Sequence, residues 1–117
     1  MGDEEQTVEE ILDALGDAEA RRILAAINPE ALSAKEIAER LDLSLPTVYR
    51  RLDMLVARDL VVARTLVAEN GNHYKVFECN FESTVITLDD EEFKAQVHHG
   101  EGIPERFSTL WEEFGDD

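Results

Sequence analysis

Lysine is scarce in this chain of 117 residues, limited to Lys35, Lys75 and Lys94. Cysteine is scarcer still: Cys79 stands alone, which excludes an internal disulfide framework. No apolar run approaches the roughly 18 residues that a membrane-spanning helix needs. The start, Met-Gly-Asp-Glu-Glu, offers neither a basic region nor an apolar stretch, so no secretory signal is expected. There is no glycine-rich phosphate loop and no nucleophile elbow. The carboxylates are spread along polar faces rather than gathered around a nucleophile, so no enzyme is expected. Hydrophobic residues still make up 44%, enough for one domain with a modest core. These absences together lead to the expectation of a soluble, cytoplasmic, non-membrane protein.

Acid, by contrast, is plentiful. Asp and Glu number 27 against 11 Lys and Arg, a net charge of −16. The excess sits at the ends. Residues 1–20 hold eight acids and no base, and residues 89–117 hold ten acids and two bases. Residues 21–88 hold nine of each and sum to zero. Within residues 44–64, Arg50, Arg51, Arg58 and Arg64 outnumber Asp53 and Asp59. Such a balance resembles that of proteins from salt-loving archaea, where high ionic strength screens the repulsion between carboxylates.

Local signals divide the chain into short elements. Thr7 and Glu10 form a capping-box pattern ahead of Val8, Ile11, Leu12 and Leu15, an amphipathic helical stripe that ends at Gly16. Asp17 can cap a second helix carrying Ala20, Ile23, Leu24 and Ile27, which Asn28-Pro29 ends. Ser33 and Glu36 repeat the capping box before Ile37, Ala38 and Leu41. Asp42-Leu43-Ser44 makes a turn, and Ser44 with Pro46 opens a helix to about Ala57 whose inner face is Val48, Leu52 and Leu55. Residues 60–67 and 73–77 read as strands around Glu69-Asn70-Gly71-Asn72, where Asn-Gly tolerates positive φ. Residues 81–88 are β-branched and suit a further strand. Asp89 or Asp90 is expected to cap a helix to about His98. Pro104 is expected to start a last helix with Phe107, Leu110, Trp111 and Phe114 at helical spacing. No repeat or second domain is visible.

The stretches LGDAEARRILAAI, LSAKEIAERLDLSLPTVYRRLDMLVARDLV and HYKVF resemble winged-helix transcription regulators of the ArsR and PadR type. The resemblance covers residues 11–88, and the acidic ends resemble haloarchaeal members, among them PadR-like regulators of the oxidative-stress response. It implies a mainly α fold with a small β wing (α+β). This is a winged helix-turn-helix with a core over 7–88 and extra N- and C-terminal dimerisation helices, the latter over 89–117. It implies a sequence-specific regulator that binds double-stranded DNA at a pseudo-palindromic operator as a homodimer. The other class kept open is a winged-helix protein-interaction module of the transcription machinery.

On that frame the helix over 45–57 enters the major groove, and the wing over 61–77 meets the backbone or minor groove. Arg50 faces outward and can contact guanine in bidentate fashion, or pair locally with Asp53. Leu45, Pro46, Thr47 and Tyr49 share the reading side, Ser44 can position a phosphate, and Arg51 is expected to clamp one. The wing offers Arg64, Asn70, Asn72, His73 and Lys75, although the asparagines can equally serve only the turn. Arg21 and Arg22 touch phosphate or pair with surface acids. Val8, Ile11, Leu12 and Leu15, with Phe107, Leu110, Trp111 and Phe114, are the expected dimer surface. Cys79 is a redox candidate or a buried apolar residue. No cofactor is expected beyond bound salt cations. The paired cysteines of ArsR-type metal sensors are missing, and His98, His99 and Glu101 make a poor metal set.

Overall fold

Each helix among the described residues begins at a side chain that replaces a missing backbone acceptor. The computed structural model describes residues 7–99. Thr7 accepts from the Glu10 amide at 3.1 Å while the Glu10 carboxylate accepts from the Thr7 amide at 3.3 Å, opening α1 (Val8–Gly16). Asp17 terminates α1 and caps α2 (Ala18–Ile27), accepting from the Ala20 amide at 2.9 Å. Ser33 and Glu36 cap each other's amides at 3.1 and 2.9 Å before α3 (Ala34–Leu41). Ser44 accepts from the Thr47 amide at 3.3 Å to start α4 (Leu45–Ala57), with Pro46 in its first turn. Each such cap is worth about 1 kcal/mol.

Both helix ends that matter for orientation are set by aspartates in the left-handed region. Asp42 (φ 57°) follows α3, and the Leu43 amide bonds back to the Ala38 carbonyl at 3.0 Å. Asp59 (φ 64°) follows α4, where the Asp59 and Leu60 amides return to Val56 and Leu55 at 3.0 and 2.9 Å. That pair of bonds is a Schellman motif, and it tucks Leu60 under the helix it has just left.

The core gathers Ile23, Ile27, Ile37, Val48, Leu52, Leu55, Leu60 and Val61, all essentially without solvent contact. Fully burying each aliphatic side chain contributes roughly 1.5–3 kcal/mol, so these positions fix how α2, α3 and α4 pack. Phe77 closes the core from the sheet side.

Two antiparallel hairpins follow. In the first, β1 (Val61–Val67) pairs with β2 (His73–Cys79), with Val61 opposite Cys79 and Val67 opposite His73. Leu32 adds a single bridge to Phe77 through bonds of 3.1 and 2.8 Å, anchoring the hairpin to the α2–α3 connection. The turn falls at Asn70-Gly71 as the sequence predicts, but only Gly71 (φ 89°) is left-handed. The Gly71 amide bonds to Ala68 at 2.9 Å and the Ala68 amide to Asn72 at 2.8 Å, giving a longer loop than the two-residue turn that needs both central residues at positive φ.

The second hairpin corrects the sequence reading. Residues 83–89 form β3 (Ser83–Asp89), and the stretch expected as a helix from Asp89 or Asp90 to His98 is instead β4 (Glu92–His98). Asp90 (φ 59°) turns the chain rather than capping a helix. The reason is a period of two: Phe93, Ala95 and Val97 alternate with polar residues and pair with Leu88, Ile86 and Thr84 on one face. The expected helix from Pro104, with Phe107, Leu110, Trp111 and Phe114, lies outside the described residues.

Candidate nucleic-acid interface

The outer side of α4 is built by the same spacing that buries its inner side. With Val48, Leu52 and Leu55 inside, Pro46, Tyr49 and Arg50 are turned to solvent, and Leu45 and Ser44 are exposed at the N-terminus. Tyr49 is 48% exposed, unusual for an aromatic with a core within reach. Among the described residues Arg50 makes no hydrogen bond or ion pair, Asp53 included, so its guanidinium is free to meet a ligand. Thr47 is half-buried, and its hydroxyl oxygen accepts from the Ser44 hydroxyl at 2.8 Å. This bond holds the first turn, where unpaired amides and the helix dipole favour an anion.

Arg51, one residue on, has a different occupation. Its Nε donates to Asp17 at 2.6 Å and its terminal nitrogen pairs with Glu19 at 3.0 Å, with all three side chains largely covered. Arg51, expected to clamp a phosphate, here ties α4 to the start of α2. The reach across 34 positions explains why sequence reasoning missed it. Arg21 and Arg22, both exposed, are likewise engaged within the fold. They donate to the carbonyls of Leu15 (2.9 Å) and Leu41 (2.8 Å), at the C-terminal ends of α1 and α3.

On the wing, Lys75 and His73 share the face of Thr65 and Val67, while Arg64 lies on the opposite face with Leu66 and Tyr74. Arg64 pairs with Glu78 at the surface, an exposed bond that a phosphate can displace at little cost. The Asn70 side chain accepts from the Asn72 amide at 3.0 Å, so Asn70 serves the turn. Asn72 is exposed beside it.

The residues expected at a dimer surface separate in the same way. Ile11 is fully buried within its own fold, whereas Leu12 is 50% exposed and Val8 and Leu15 are half-buried. Cys79 is half-covered, and its thiol donates to the Phe81 carbonyl at 3.4 Å. Burial pushes its pKa up, the wrong direction for a thiolate that oxidant attacks near neutral pH. His98 ends β4, and the His99 ring Nδ1 lies 2.9 Å from the Asn80 carbonyl oxygen. Among the described residues no cluster of three or more His, Cys, Asp or Glu can hold a metal ion. No helix there is long and apolar enough to cross a membrane.

A three-helix unit with an exposed helix after a tight turn, followed by a hairpin bridged back to the helices, is a winged helix-turn-helix. Comparison with known families agrees: residues 15–64 match the model of a helix-turn-helix domain. The match runs from the end of α1 into β1, so it holds the reading helix whole and stops inside the wing. No curated protein matches the chain. Fold and comparison together define a winged helix-turn-helix domain.

Proposed function

We propose that this protein is a sequence-specific transcription regulator that reads double-stranded DNA with α4 in the major groove and the β1–β2 wing on the adjacent backbone or minor groove. The observation that carries the reading is Arg50: a cation on the exposed face of the second helix of a helix-turn-helix, with no partner among the described residues. A bidentate Arg–guanine contact discriminates by roughly 1–3 kcal/mol. Leu45, Pro46, Thr47 and Tyr49 flank it for base-edge and sugar contacts, and Ser44 begins the helix against a phosphate. Lys75, His73, Asn72 and a released Arg64 supply the wing.

The protein acts as a homodimer in this reading, because two recognition helices set about 34 Å apart meet successive major grooves of an imperfect palindrome. The exposed edge of α1, Leu12 with Val8 and Leu15, supports such pairing. High salt is its working medium, with bound cations bridging carboxylates and DNA.

The test is Arg50→Ala against genomic fragments that include the gene's own promoter. Specific affinity should fall about 5- to 150-fold for each half-site, the equivalent of one lost bidentate contact per copy, with thermal stability unchanged. Specific binding that survives Arg50→Ala intact, or that is lacking in the native protein at any salt concentration, would overturn the assignment. The domain would then be an interaction module.

A further inference from the structure

The second hairpin carries an apolar face that the described residues leave half open. Register places Thr84, Ile86 and Leu88 opposite Val97, Ala95 and Phe93 on that face, with Ser83, Val85, Thr87, Lys94 and Gln96 on the other. At the root, Val97 packs against the core. Toward the tip the cover gives out: Ile86 is 37%, Leu88 60% and Phe93 57% exposed. A two-stranded hairpin is marginal in water unless a further strand or a helix packs on it. α1 already packs on β4, so what calls for a cover is the exposed tip at Leu88 and Phe93.

We propose that its cover is the chain's own C-terminal segment, residues 103–114, laid on Ile86, Leu88 and Phe93. Three observations converge on that occupant. The first is where the described chain ends. Glu82 and Asn80, just before β3, hold the backbone of His98 and the ring of His99 at 2.9 Å each, so the segment leaves from the root of this hairpin. The second is length. Residues 100–103 allow a reversal of direction, and residues 104–114 at a helical rise of 1.5 Å cover roughly 16 Å, most of the roughly 23 Å of a seven-residue strand. The third is pattern. Phe107, Leu110, Trp111 and Phe114 recur at i, i+3, i+4 and i+7, a stripe that complements one flat apolar face. Tethering makes the contact intramolecular at an effective concentration in the millimolar range, ahead of any second copy. The inference does not rest on the DNA-binding reading.

Trp111 is the only tryptophan, so the full-length protein reports on the seat directly. Its emission should be that of a buried indole and should resist acrylamide. Leu88→Ser and Phe93→Ser should each shift the emission to the red and raise quenching several-fold. Val85→Ser, on the opposite face, should leave both unchanged, with far-UV circular dichroism checking the fold in all three. Protection should hold on dilution from about 100 to about 1 µM, as an intramolecular contact requires. Free quenching in the native chain, indifference to Leu88→Ser and Phe93→Ser, or an equal response to Val85→Ser would each overturn the proposal. Protection lost on dilution together with an oligomer would overturn it too, and would assign the face to a second copy.

Discussion

Arg50 and Arg51 are adjacent in sequence and differ in their surroundings. The helix turns by about 100° between them, which is enough to put one guanidinium in solvent and the other against α2. Asp17 is the hub on that side: its carboxylate caps α2 and also accepts from Arg51 Nε. Charge-assisted bonds to partly covered groups contribute about 1.5–3 kcal/mol each, less what solvent screens. Arg51→Ala should therefore lower stability by about 1–2 kcal/mol and leave specific DNA affinity largely intact, the reverse of Arg50→Ala. Thermal unfolding of Arg51→Ala, Asp17→Ala and the double variant checks this. A cycle without coupling between the two positions removes the pair from the account, whereas coupling of about 0.5–1.5 kcal/mol is expected.

At the scale of elements, the helical half of the fold was legible because its signals are local. Thr7 with Glu10 and Ser33 with Glu36 announce their helices three residues ahead, and Val48, Leu52 and Leu55 declare the inner face of α4 by spacing alone. The second hairpin was half legible. Residues 81–88 read as strand by β-branching, close to the observed β3, but Asp89-Asp90-Glu91-Glu92 looks like an acidic helix start, and that local signal hid the alternation of Phe93, Ala95 and Val97. The ion pair of Arg51 and the bridge of Leu32 to Phe77 were not legible, since their partners are set by packing of distant segments. The turn at Asp90 allows the two readings to be separated in solution. Only Asp90 of the two central residues has positive φ, the pattern of a II′ turn, in which glycine is preferred. Asp90→Gly should stabilise the protein by up to about 1 kcal/mol through relief of the left-handed aspartate. At a helix N-terminus the same change would lose a favourable charge and a cap. Denaturant midpoints at constant m settle the sign.

For the whole molecule, the problem is how a chain of net charge −16 approaches a polyanion. The charge is unevenly divided along the chain: residues 21–88 are neutral overall, and the acid lies in residues 1–20 and 89–117, the hairpin tip Asp89, Asp90, Glu91 and Glu92 included. At 0.1 M salt the Debye length is about 10 Å, so these ends still repel phosphate; at 1 M it is about 3 Å and they do not. The opposite pull comes from counterion release. If Arg64 and Lys75 of two copies neutralise four phosphates, log K should fall with log salt at a slope of about −3.6, or about 0.9 per phosphate. Cations taken up between carboxylates and DNA enter with the opposite sign. The expected outcome, measured as specific affinity between about 0.1 and 3 M KCl, is therefore a slope well above about −3.6, flat or rising toward molar salt. A slope of about −3.6 or steeper would keep the regulator and remove cation uptake from its mechanism, because release alone would then account for the whole dependence. A flat or rising slope requires uptake to offset release, and neutralising Asp89, Asp90, Glu91 and Glu92 should then steepen the fall if cations are held at the hairpin tip.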